Sequence, residues 1–163
     1  MKKYFLLLTI CFFSIVADPQ ISEAATNYDL NVTTLNGENF NLKKMSGKVV
    51  VVTFWAEWCP NCLNEMVALE NLYKSYHQYG LEIIGVSVDP EKSLNKVKQR
   101  IAKVTYPNAM MNDAISLDFP EINSIPTTYI FDKSGALHSV IHSAGRLDKK
   151  LFEELLLSKT KTH

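Results

Sequence analysis

Apolar residues recur along this chain in two rhythms, and each rhythm predicts its own element. Val49 to Trp55, "VVVVTFW", is an almost unbroken apolar run rich in β-branched side chains, the pattern of a strand buried on both faces. Leu81 to Val88, "LEIIGVSV", predicts a second such strand, and Thr127 to Phe131, "TTYIF", a third. Tyr28 to Leu35 alternates instead, meets Asn36-Gly37 and returns as "ENFNL", which predicts a hairpin. From Leu63 to Tyr79 the apolar residues fall at helical spacing, and Gly80 stops them. Asp89-Pro90-Glu91 has the order of an N-cap, a first position and a first-turn acid, for a helix running to about Lys103. "YPNAMM" predicts a short strand and Asp113 to Phe119 a short helix. After the Asp132–Gly135 turn, "ALHSVIH" predicts a returning strand. Asp148 to Ser158 closes the chain as an amphipathic helix, with Phe152 and Leu155 among its inward residues.

Crossover helices between buried strands predict an α/β fold: a central mixed β-sheet with helices on both faces, plus an added N-terminal β-hairpin. The length of 163 residues suits one domain. Hydrophobic content of 47% and charged content of 21% exclude a disordered chain. Lys plus Arg and Asp plus Glu number 17 each, so no basic surface argues for a nucleic-acid partner. The first residues follow another logic. Met1-Lys2-Lys3 is basic, Tyr4 to Ala17 is apolar, and small residues follow at Ser22, Ala24 and Ala25. This is the pattern of a secretory signal peptide, residues 1–24, ahead of a domain at 25–163. The alternative is an uncleaved anchor, for which the apolar stretch falls short of the ~20 residues of a span. Export would make the location periplasmic or otherwise extracytoplasmic.

Loss of the leader also removes Cys11 and leaves Cys59 and Cys62. Exported proteins commonly use cysteines to close long loops, but this pair closes a very small one. Reactive chemistry is the better expectation. Cys59 falls where the Val49 strand gives way to a helix, so the free amides and dipole of the helix N-terminus should lower its thiol pKa below the usual value of about 8.5. Pro60 suits the first helical position, which needs no N–H. Cys62, one turn on, can attack a mixed disulfide formed by Cys59 and release the partner reduced. Trp58 supplies an apolar wall beside the sulfur, either as a docking surface or as a capping aromatic.

"FWAEWCPNC" after a Val-rich strand, with "IPTTYIFD" farther on, resembles the thioredoxin fold. The leader, the hairpin and "GKVVVVTFWAEWC" resemble in particular the TlpA/ResA-type thiol–disulfide oxidoreductases, extracytoplasmic proteins some of which act in cytochrome c maturation. The resemblance implies Cys59 as attacking thiol and Cys62 as resolving thiol. It makes Pro126 the cis-proline beside the sulfurs, with Ile125 offering backbone to an incoming peptide. Glu65 resembles the acid that in the ResA-like subgroup tunes the pair and moves protons. Three departures stand out. Thr53 replaces the buried Asp of thioredoxin, Val67 replaces a helix-kinking Pro, and Pro60-Asn61 lies between the cysteines. Glu57, two residues before Cys59, is placed either to modulate the pair or, the better expectation, to be a plain surface acid.

Other readings have weaker support. Ala56 and Val52 stand where the peroxiredoxin signature has Thr and Pro. A zinc or copper site built on the cysteines would need His77, His138 or His142, and no second cysteine pair is present. A disulfide-donating oxidase is the serious rival, because one pair runs in either direction. The sequence has no Gly-rich nucleotide loop, so no organic cofactor is expected. The expected partners are disulfide-containing proteins and a membrane thiol donor of electrons.

Overall fold

The computed structural model describes residues 27–142 and 147–158. The signal peptide expected at 1–24 lies outside them. Two antiparallel strands, β1 (Asp29–Thr33) and β2 (Asn39–Asn41), form the hairpin, and Gly37 takes the positive φ (+89°) that the turn requires. There follow β3 (Val49–Trp55), α1 (Pro60–Tyr76), β4 (Leu81–Ser87), α2 (Leu94–Ile101) and β5 (Asn108–Met110). The chain continues with β6 (Ala114–Asp118), β7 (Thr127–Phe131), β8 (Leu137–His142) and α3 (Lys149–Leu157).

The main sheet has the order β5-β4-β3-β7-β8. β3 lies at its centre, parallel to β4 with Val51 opposite Ile83, and antiparallel to β7 with Val51 opposite Ile130. It is therefore the mixed sheet expected. All seven residues of β3 are buried, which explains why the strand is apolar without alternation. On one face Val49, Val51 and Ile83 pack against Leu69 and Leu72 of α1 and Phe152 and Leu155 of α3. Burying each side chain of this kind contributes about 1.5–3 kcal/mol.

The opposite face departs from the expectation of helices on both sides. There Val50, Val52, Phe54 and Ile84 meet Leu30, Val32 and Phe40 of the hairpin. The physical reason is strand order. The steps β3→β4 and β4→β5 move in the same direction, so right-handed crossovers place α1 and α2 on the same face. The hairpin covers what remains.

The helix expected over Asp113 to Phe119 is also corrected. This segment contains β6, which pairs with β1 (Leu30 opposite Leu117) and completes a three-stranded sheet, β2-β1-β6. Its partner lies far away in sequence, so local spacing carried no trace of the pairing. Phe119 then seats an aromatic cluster with Tyr28, Phe54 and Tyr129, its ring centroid 4.9–5.3 Å from theirs. Asp89 is not a helix cap either. A 3-10 turn, Glu91–Ser93, precedes α2, and Ser93 occupies its N-cap position.

Candidate active site

β3 ends at Trp55, and the chain turns through Ala56, Glu57 and Trp58 into α1 at one edge of the sheet. The Cys59 N–H donates to the Ala56 carbonyl at 3.2 Å and closes that turn. Cys59 is the N-cap of α1, and Pro60 follows at the first helical turn. The Cys59 Sγ accepts the Cys62 N–H at 3.2 Å, in the place where a Ser or Asp side chain usually caps a helix. The Cys62 amide thus points at this sulfur, and the helix N-terminus favours negative charge on it. The two cysteines are joined as a disulfide. Cys59 is 6% exposed and Cys62 1%, so an incoming group meets Cys59. Trp58 beside them is 64% exposed. α1 runs without interruption past the exposed Val67.

Residues distant in sequence complete the site. The Ile125–Pro126 peptide bond is cis, and the Ile125 carbonyl lies 3.9 Å from Cys59 Sγ. The Thr127 hydroxyl donates to the Ser124 carbonyl at 2.7 Å across that bend and lies 3.2 Å from His142 Nδ1. Thus the structure sets the Ile125 carbonyl, ahead of the cis Pro126, beside the Cys59–Cys62 disulfide, while Trp58 precedes Cys59 in the chain as an exposed side chain.

Glu65 is buried on the sheet side of α1. Its Oε1 accepts from the Thr128 hydroxyl and from the Thr53 hydroxyl, the latter at 3.3 Å. Thr53 and Thr128 are themselves 2.8 Å apart. Burial raises the Glu65 pKa above its ordinary value, and the two hydroxyl contacts offset only part of the rise. Thr53, noted as the departure from thioredoxin's buried Asp, therefore still contacts an acid. The acid comes from the helix instead of the strand.

Glu57 is not the surface acid expected. It is 8% exposed, its carboxylate lies 3.4 Å from Lys96 Nζ, and its backbone N–H donates to Asp89 Oδ2 at 2.8 Å. Asp89 and Thr128 escaped the sequence reading. Asp89-Pro90 has the local form of a helix cap, and Thr128 sits unmarked inside a strand. Only the pairing of β3 with β7 sets Thr128 opposite Thr53. Among the described residues, no group of three or more His, Cys, Asp or Glu is placed to hold a metal ion.

Comparison with known proteins accords with this geometry. The chain matches a family described as the AhpC/TSA family over residues 21–140. It is 32% identical to the thioredoxin-like protein YneN of Bacillus subtilis (strain 168), across 83% of this chain and 79% of that protein. It is 31% identical to the thiol-disulfide oxidoreductase ResA of Geobacillus kaustophilus (strain HTA426), across 85% and 78% respectively. Among solved structures, it is similar to a putative thiol:disulfide interchange protein DsbE from Chlorobium tepidum. The TM-score is 0.65 and the identity 20%, covering 79% of this chain and 91% of that one, a likeness of fold.

Proposed function

The chain belongs to the AhpC/TSA family as a thiol–disulfide oxidoreductase of the thioredoxin fold, and from that premise we propose that it is a reductase of disulfides in exported proteins. The observation that carries the thiol–disulfide chemistry is the capping of α1 by a cysteine sulfur, with the second cysteine one turn behind it, and the reductive direction is what the cellular redox state below tests. In the reduced protein the Cys59 thiolate attacks a substrate disulfide, one substrate sulfur leaves as a thiolate, and a mixed disulfide forms. The Cys62 thiolate then attacks Cys59 Sγ. This expels the second substrate sulfur and forms the Cys59–Cys62 disulfide, so two electrons pass to the substrate. Trp58 and the Ile125–Pro126 edge form the docking groove, where the substrate backbone pairs with the extended chain at Ile125. Glu65, held by Thr53 and Thr128, handles protons at the buried thiol.

The basic, apolar and small-residue order of the first residues supports export to an extracytoplasmic compartment. There a reductase needs electrons from elsewhere, and a membrane thiol transporter is the fitting donor. Apocytochrome c is one candidate substrate class. Two experiments test the proposal. Rapid acid quench of growing cells with thiol alkylation should find the pair mostly reduced; a mostly oxidised pair would favour a disulfide donor. Cys62→Ser should accumulate a mixed disulfide with the substrate through Cys59, and trapping through another residue would overturn the assignment.

A further inference from the structure

The loop that carries Cys59 is anchored from behind by a buried carboxylate. Asp89 is 2% exposed, and its Oδ2 accepts the Glu57 N–H and the Ser87 hydroxyl, each at 2.8 Å. The Asp89 N–H donates back to Ser87 Oγ at 3.1 Å, which fixes the carboxylate's own orientation. Beside it the Val88 N–H donates to the Trp55 carbonyl at 2.9 Å, a second tie between the same two loops. The Asp89 side chain does nothing for α2, which opens on its own 3-10 turn. Its carboxylate accepts from the Ser87 hydroxyl and the Glu57 amide, and that amide lies inside the Ala56–Cys59 turn.

We propose that Asp89 is a positioning residue for the attacking sulfur. By holding the Glu57 N–H it sets the turn that places Cys59 at the cap of α1. The inference rests on Cys59 being the attacking thiol. Its two physical effects have opposite signs, and this makes it testable. Asp89 and Glu57 are acids near a thiolate, with Lys96 as the cation paired to Glu57 and Glu65 as a buried acid on α1. As a mere charge, Asp89 would oppose the thiolate, and its removal would make Cys59 more reactive. As an anchor, its removal lets Cys59 leave the helix amides and makes it less reactive. Asp89→Asn separates the two, because its amide oxygen still accepts the Glu57 N–H without the charge.

The test is the rate of iodoacetamide alkylation of the reduced full chain at fixed pH, with the modified cysteine identified by mass spectrometry. Asp89→Ala should lower the Cys59 rate by on the order of tenfold. Asp89→Asn should restore it to the wild-type rate or above. An alanine variant as fast as wild type, or an asparagine variant as slow as alanine, overturns the proposal. If the alanine variant does not fold, hydrogen exchange decides: the Glu57 amide should be protected in the wild type and in Asp89→Asn, and an unprotected amide in the wild type overturns the anchor. Wild-type alkylation at Cys62 instead of Cys59 would overturn the thiol assignment beneath the inference, an outcome distinct from the others.

Discussion

The two ends of β3 and α1 are built on opposite plans. At the far end Val49 and Val51 of the strand, Leu69 and Leu72 of the helix and Phe152 of α3 form an apolar cluster that also takes in Tyr106, and the buried acids flanking it, Glu70 and Glu82, are paired with Lys74 and Lys48. At the near end Trp55, Cys59, Cys62 and Met66 pack together, but Glu65, Thr53, Thr128 and Asp89 are buried as well. The near end also holds polar atoms with no hydrogen-bond partner among the described residues, at Trp55 Nε1, Asn108 Oδ1 and Asp89 Oδ1. Such groups cost stability unless they are paired. One strand and one helix thus differ by position: the far end is held mainly by apolar packing, and the near end accepts a desolvation cost around the cysteine pair.

The sharpest way to test this division is to damage each end separately. Cys59→Ser should reduce turnover of a protein disulfide to the uncatalysed background while the chain stays folded, as shown by circular dichroism. Retained turnover would place the chemistry elsewhere. Phe152→Ala should do the reverse, with a loss of about 3–5 kcal/mol in denaturant unfolding. The alkylation rate of Cys59 in the remaining folded protein should not change; a change would show that the two ends are coupled.

Glu65 probes the cost at the near end through pH. Its pKa is raised in the folded state by burial, so the folded chain holds this proton more tightly than the unfolded chain does. Its penalty is absent below the unfolded value near 4.5, grows as pH rises through the folded value, and is complete above it. The stability of Glu65→Gln relative to wild type should therefore increase from about pH 4 to about pH 8. A difference that stays constant across that range would mean that Glu65 carries no such penalty. The smallest effect belongs to Lys96→Ala. Lys96 is mostly exposed and its ion pair with Glu57 is screened, so stability should change by about 0–1 kcal/mol. A larger loss would extend the costly polar end out to α2.

What the sequence made legible follows the range of the interactions. β3, β4 and β7 are short runs dominated by apolar and β-branched residues, and Cys59-Pro60-Asn61-Cys62 is a local motif at a strand–helix junction, so both could be read directly. β6 could not, because its five residues become a strand only by pairing with β1. Asp89 has the local form of a cap, yet its carboxylate accepts nothing from that helix and instead takes a backbone amide more than thirty residues earlier in the chain. Thr128 and Glu65 meet only across the sheet–helix interface. The cysteine pair was legible, and the family resemblance pointed to Glu65 and Pro126; the partners Thr128 and Asp89 were not legible, since each acts through a contact distant in sequence.

The bond from the Cys62 amide to Cys59 Sγ has a spectroscopic consequence. An amide proton aimed at a sulfur senses the electron density on that atom. In a ¹⁵N-labelled sample the Cys62 resonance should therefore titrate with the Cys59 thiol of the reduced protein. The helix cap would then serve as a built-in electrode, reporting the ionisation of the capping sulfur without any label attached to it.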